Sequence, residues 1–446
     1  MTRILSRLAL MILCTAWEWQ GTERADAALD AQMVTLGGEI RERYEFRDNA
    51  DFNSNASDTL SFVASRIRLH LGYEVTPDIV FFFQMQDSRL FGSETSTASN
   101  EKNLDLHQGY LVVKNLAGPL IMTLGRQEMV FGDSRLVGNF GWSNIGRSFD
   151  GLRLTYDPGP ARFDLWATIP KVFGTNTNAD PLFTVSNRDS QQFYGLYTAV
   201  KTGAASLEPY MMYLRDTGAI GASQITDPLA PAQDRVTFGV RIDGKMGGDS
   251  LDFTGETAYQ TGAMAARGTV PKSDIAAYAV AVKAGYTLPL LMKLRVGFEY
   301  DRASGDDSPL DNQLETFENL FPTNHIHYGY MDYVGWRNMQ DLRFSLSIKP
   351  TKTSGVSLDY HRFSLAEKND HWYRASGQVF RTTPPIGSDE RDLGQEIDLS
   401  AYTIIKERIR LEAGYGHFFP GDNVKVNFPT ATDGSDFIYV QLGAHF

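Results

Sequence analysis

The sequence has 446 residues, with 42 Lys and Arg against 54 Asp and Glu for a formal net charge of -12, and it holds 40 Gly, 20 Tyr and 27 Phe. That acidic balance argues against a nucleic-acid partner, whose phosphates reward a basic face. A chain this rich in glycine and aromatics is unlike a helical bundle built on Ala, Leu, Glu and Lys, and a single closed barrel can use its whole length without dividing.

The first segment, Met1 to Ala27, carries Arg3 and Arg7, an apolar run from Leu8 to Trp17, and Ala25-Asp26-Ala27 in an A-x-A arrangement. It reads as a secretory signal peptide cleaved before Ala28, since a membrane anchor needs about 20 apolar residues. Cys14, the sole cysteine, follows Leu13 where a lipoprotein signal wants a small residue. The mature chain, 28–446, then has no thiol and must draw its stability from backbone pairing and burial, or from the membrane itself.

From there the chain alternates with period two. Val63, Ile67, Leu69 and Leu71 share one face and Arg66, Arg68, His70 and Glu74 the other. Ile79, Phe81, Phe83 and Met85 oppose Gln84, Gln86 and Ser88. The pattern returns at Val236 to Ile242, at Leu251 to Tyr259, at Ala276 to Tyr286, at Leu294 to Tyr300 and at Leu342 to Ile348. It is the pattern of strands with oil on one side and water on the other, repeated about 18 times, with 16 also tolerable.

A soluble sandwich alternates too, but charges on the inner face of many successive strands would be ruinous in its core and suit a wet lumen. Short turns (Thr76-Pro77-Asp78, Asp157 to Pro160, Thr287 to Leu291) also alternate with long polar ones (Gly92 to Asn103, Phe173 to Ser190, Ser304 to Gln340, Ala366 to Arg391). The last residues, Phe437 to Phe446, alternate and end on an aromatic, the usual shape of a signal read by the barrel-insertion machinery. The expected fold is all-β: one transmembrane antiparallel β-barrel in a Gram-negative outer membrane, with short periplasmic turns and long external loops.

No catalytic constellation and no metal or cofactor motif emerges. The eight histidines are scattered, and Ser364 or Ser376 near His361 lacks the further partners that a triad needs. The external acids Asp306, Asp307, Asp311, Asp389, Glu390 and Asp392 suit divalent cations bridging to lipopolysaccharide. The informative set is arginine. Arg41, Arg43, Arg66, Arg68, Arg153, Arg162, Arg241, Arg295, Arg343 and Arg410 have lumen parity, beside Glu39, Glu45, Glu74, Asp164, Glu299 and Glu412. Two readings stay open: salt-bridge ladders that brace the wall, or a ring of guanidinium groups at a constriction that a permeating polyanion would meet.

The stretch Leu124 to Tyr156 contains Gly125-Arg126-Gln127-Glu128, Gly132-Asp133-Ser134-Arg135-Leu136-Val137-Gly138, Trp142-Ser143-Asn144 and Gly146-Arg147-Ser148-Phe149-Asp150-Gly151. With Tyr360-His361-Arg362-Phe363, Gly394-Gln395-Glu396-Ile397-Asp398 and Gly414-Tyr415-Gly416-His417, it resembles the bacterial alginate-export outer-membrane porin family over nearly all of the mature chain. The resemblance implies a monomeric barrel that passes an anionic uronate polysaccharide through an arginine-rich constriction. Carried over onto these motifs, Arg126 is the leading selectivity residue, followed by Arg153 and Asp398, with Arg66, Arg68, Arg135, Arg147, Arg343 and Arg410 also expected at the lumen. Met122 and Leu124 share the parity of Arg126, so a bulge is needed to turn it inward.

The expected partners are an anionic polysaccharide or small anionic solute, outer-membrane lipid and lipopolysaccharide. The expected function is a passive selective channel rather than an enzyme. A general small-solute porin is the alternative, and a barrel-embedded hydrolase a more distant one.

Overall fold

The computed structural model describes residues 33–52, 58–94, 96, 103–172, 190–216, 232–248, 250–266, 272–289, 292–309, 311–381, 390–427 and 433–446. The expected signal peptide with Cys14, most of the loop from Phe173 to Ser190, and Asp389 lie outside the described residues. Of two compact units, Met1–Val34 falls almost wholly outside them, and Thr35–Phe446 is the barrel.

Its long strands are β1 (Val34–Asp48), β2 (Leu60–Thr76), β3 (Ile79–Leu90), β4 (Leu104–Val113), β5 (Leu120–Gln127), β6 (Phe149–Tyr156), β7 (Ala161–Val172), β8 (Ser190–Thr202) and β9 (Ala205–Asp216). They continue with β10 (Gln233–Met246), β11 (Leu251–Met264), β12 (Ser273–Thr287), β13 (Arg295–Ala303), β14 (Met339–Ile348), β15 (Ser354–Ser364), β16 (Asp392–Ile405), β17 (Ile409–Pro420) and β18 (Ser435–His445). Each pairs antiparallel with its sequence neighbours, and β1 pairs with β18 from Glu39 opposite His445 to Asp48 opposite Asp436. That last ladder closes the sheet and removes both edges.

The period-two pattern sets the faces. Ile67, Leu69, Phe83, Phe238, Tyr278 and Phe344 project outward and are exposed, while Arg66, Arg68, Arg241, Glu299 and His361 project inward and are buried. Opposite charges meet across inward rungs, as where Glu299 faces Arg343. The strands β2–β3 and β8–β9 are joined by turns of two residues, whereas residues 128–148 and 304–338 link strands at the other end. No helix among the described residues is long and apolar enough to cross a membrane, which says nothing about strands.

The lumen is not empty. A core of buried side chains, among them Met129, Phe131, Val137, Phe317, Phe321, Tyr328 and Trp336, belongs to those two long loops and lies inside the ring of strands. The loops meet through a parallel bridge between Val137 and Phe321. Sequence alternation shows the wall of a barrel but not what its loops do, and this inward fold is the feature it missed.

Candidate functional site

Residues 128–148 leave β5 and cross the lumen as an arch before returning to β6. Glu128 anchors the start, accepting hydrogen bonds from Asn139 at 2.8 Å and Arg68 at 3.4 Å and lying 2.7 Å from His107 Nε2. Phe131 then stacks on Trp166 of β7 and Tyr197 of β8, with ring centroids 4.7 and 5.0 Å away. At the far wall Asp133 accepts from Arg241 of β10 at 2.6 Å and from Lys283 of β12 at 3.2 Å.

The return limb meets the opposite wall. Arg41 and Arg43 of β1 and Arg66 and Arg68 of β2 donate to main-chain oxygens of Gly141, Trp142, Ser143 and Ile145. The arch thus touches both sides of the barrel. Gly146 has φ +83, and a Cβ there would come within 2.7 Å of the Arg68 guanidinium, so glycine is needed where this limb passes the wall.

The second loop, residues 304–338, packs onto the arch. His325 stacks on Trp142 with ring centroids 3.9 Å apart, and the Arg43 guanidinium lies 3.8 Å above the same indole. His327 Nε2 donates to the Asp133 carbonyl at 2.7 Å. Burial, with the nearby Arg135 guanidinium, depresses His327 from 6.5 to about 3, so its imidazole is neutral in the assembled site. Further along, the main-chain N–H groups of Tyr330 and Met331 donate to Asp398 at 3.2 Å and Glu396 at 2.9 Å.

The expected lumen residues fall into three settings. Arg66, Arg68, Arg135, Arg147 and Asp398 are packed between wall and loops. Arg135 is fully buried in an ion pair with Glu299 and lies 3.2 Å from Asp301, with Tyr328 accepting a further hydrogen bond at 2.6 Å. Arg147 ties the two loops together, donating to the carbonyls of Gly138, Phe321 and Pro322 at 3.0, 2.5 and 2.7 Å. No carboxylate among the described residues pairs with it, and burial lowers it to about 10. Asp398 holds Tyr330 from behind, with His361 Nε2 4.0 Å away.

Arg153, Arg343 and Arg410 are the ones that reach open lumen. Arg153 donates to Asp164, Arg410 to Glu412 at 2.6 Å, and Arg343 to Asp359 at 3.0 Å and Glu299 at 3.3 Å. Arg343 also lines a cavity of about 450 Å³ under the arch, with Lys283, Arg295 and Ile326 among its neighbours.

Arg126 requires a correction. It stands in one cross-strand row with Gly109 and Asp150, two residues along from the row Leu111, Leu124 and Leu152, so its side chain points outward. It pairs there with Asp150 at 2.8 Å. The irregularity in this part of the sheet sits in β4, where Gln108 and Leu106 oppose consecutive residues of β3 and His107 is skipped. That bulge turns His107 toward Glu128 and leaves Arg126 on the outer face.

Several contributors were not singled out from sequence: Asp133, Lys283, Trp142, His325 and His327. For Asp133 and Trp142 the signal lay in the glycine density of 128–148, with Gly132, Gly138, Gly141 and Gly146 in 21 residues, which suits a chain packed against other backbone. Among the described residues one group has metal-ligand spacing: Asp306, Asp307 and Glu315, whose carboxylate oxygens lie within 4.8 Å of one another. Burial pushes Asp306 up to about 6, and Asp370 and Asp311 add to the shift.

No curated protein matches the chain. Among solved structures it is similar to Pseudomonas aeruginosa OpdK with vanillate, at 9% identity and TM-score 0.58, covering 93% of this chain and 99% of that one. It is also similar to P. aeruginosa OccK3 (OpdO), at 13% identity and TM-score 0.58, covering 93% and 96%. A third is P. aeruginosa OccK8 (OprE), at 12% identity and TM-score 0.57, covering 93% and 98%. At such identities these likenesses speak for the barrel fold alone. The family model described as alginate export matches residues 32–435, nearly the whole chain, and the protein therefore belongs to the alginate export family, as a β-barrel of the Gram-negative outer membrane.

Proposed function

We propose that this outer-membrane channel favours anionic solutes and passes a uronate saccharide such as alginate or its oligomers, which meets a cationic lumen surface beside the arch. The observation that carries this reading is an asymmetry in three lumenal ion pairs, those of Arg162, Arg410 and Arg343, whereas in others, such as Arg241 with Asp243, the acid is the more exposed partner. Arg162 is 45% exposed and its partner Asp164 only 5%. Arg410 is 40% exposed against 19% for Glu412, and Arg343 is 19% exposed against 4% for Glu299. Each of these arginines keeps an acid, Asp164 being shared between Arg162 and Arg153, yet the solute meets guanidinium tips whose counter-charges sit behind them. A polyanion can then exchange weak contacts from one tip to the next without being trapped.

A second reading, a general small-solute porin, draws support from the same pairs, because Arg162, Arg343 and Arg410 each keep an acid within reach. Concentration-dependent block of reconstituted channels by uronate oligomers tests the choice. The proposal expects block that weakens in Arg162→Ala and Arg343→Ala, and indifference to the oligomers would favour the general porin.

A further inference from the structure

The four arginines on β1 and β2 do something other than face the solute. Irregular backbone crossing a barrel has carbonyl groups that no neighbouring strand can satisfy, and each must find a donor. Between Gly141 and Ile145 those donors are guanidinium groups, except at Asn144, whose carbonyl accepts from the Ser88 hydroxyl at 2.6 Å. Arg41 reaches Gly141 O at 2.8 Å and Ser143 O at 2.9 Å, and Arg66 reaches the same two oxygens at 3.2 and 3.0 Å. Arg43 takes Trp142 O at 2.7 Å, and Arg68 takes Ile145 O at 3.2 Å. All four are buried.

Arg41 has no carboxylate within ion-pair distance among the described residues, so its hydrogen bonds go to the arch, with the Asn144 side chain as a third acceptor at 3.4 Å. Two guanidinium groups sharing two acceptors would repel one another if the arch moved away. The planar fork suits this task, since one side chain can span the carbonyls of both Gly141 and Ser143 in this turn.

We infer that Arg41 and Arg66 are positioning residues that clamp Gly141–Ile145 to the β1–β2 wall, holding the arch across the lumen and so setting the aperture of the channel, and that they are not ligands of the solute. This rests on the protein being a channel and not on the identity of its cargo. Anion preference belongs to the exposed cations on other strands, and aperture belongs to the clamp.

The test is single-channel recording of the full barrel with Arg41→Ala/Arg66→Ala, alongside Arg41→Gln and Arg41→Lys. The double variant should conduct with frequent transitions to a level raised about twofold, because the narrowest point governs permeation, while its reversal potential in a salt gradient stays that of the wild type. Arg41→Lys keeps the charge but loses the fork, and should restore the quiet wild-type level only in part. Should the double variant fail to fold, Arg41→Gln is read by the same two quantities. An unchanged conductance, or an unchanged level accompanied by a lost anion preference, overturns the clamp. The proposed cargo can fail independently, through oligomer block, without altering either result.

Discussion

The guanidinium of Arg135 in the arch lies 3.2 Å from the carboxylate of Asp301 on β13, yet neither Asp301 oxygen has a hydrogen-bond partner. The contact is therefore buried without the directed bonds that normally offset desolvation, and the hydrogen-bonded ion pair of Arg135 is the one with Glu299. Glu299, Tyr328 and the Trp336 ring, whose centroid is 5.5 Å away, complete the surroundings. Arg135→Met should cost about 3–5 kcal/mol of arch stability, the range for removing one partner of a buried pair. The double variant Arg135→Met/Asp301→Asn should recover part of that loss. Hydrogen exchange of the arch amides measures both, and additive single effects would show that the two groups do not interact.

The neutral state of His327 makes arch closure pH-dependent. Its value in the assembled site, about 3, lies below the ordinary 6.5. Above pH 6.5 the imidazole is neutral whether the arch is docked or not, and closure keeps its full stability. As pH falls through 6.5 toward 3, only the undocked state takes up the proton, and closure loses about 1.4 kcal/mol per pH unit. Channels should become noisier between pH 6 and 4. His327→Gln can still donate to the Asp133 carbonyl but cannot titrate, so its current noise should be flatter over that range. Identical pH profiles would remove His327 from the account.

How much of this could be read from residues alone differs between wall and lumen. The alternation in Ile67-Arg68-Leu69 or Val296-Gly297-Phe298-Glu299 is local, because a strand facing lipid and water must repeat every two residues, and the eighteen strands and their faces follow from it. The loops carry no such period. Whether 128–148 lies outside or crosses the lumen is decided by contacts 100 residues away in sequence, such as Arg41 with Gly141. The case of Arg126 shows the two kinds of evidence competing. Its family motif argued for the lumen and its shared parity with Leu124 argued against, and the parity was the better guide because no bulge interrupts β5.

Arg126 consequently serves as a control. Arg126→Ala should leave conductance and ion preference unchanged and cost no more than about 1 kcal/mol of stability, since the Asp150 pair is solvent-exposed. Planar-bilayer recording checks the first point and urea unfolding in lipid the second. A change in ion preference would return this residue to the permeation path.

Processing of the N-terminus gives an expectation from sequence alone. Cleavage after Ala27 leaves a chain that begins at Ala28 and has lost Cys14, its one thiol. Intact mass of the protein recovered from outer membranes, with thiol labelling, checks this, and a labelled chain would contradict it.

The central claim is that the cations exposed in the lumen govern permeation although the whole chain carries a net charge of -12. Fixed charge exposed on the lumen wall acts on a passing ion at close range, whereas acids on the external loops are screened over about 8–10 Å of salt solution. The most direct measurement is the reversal potential of single wild-type channels in a potassium chloride gradient, repeated with Arg162→Ala/Arg343→Ala/Arg410→Ala. An anion-selective wild type whose preference falls in the triple variant is the predicted result. A cation-selective wild type, or a triple variant with undiminished anion preference, would contradict it.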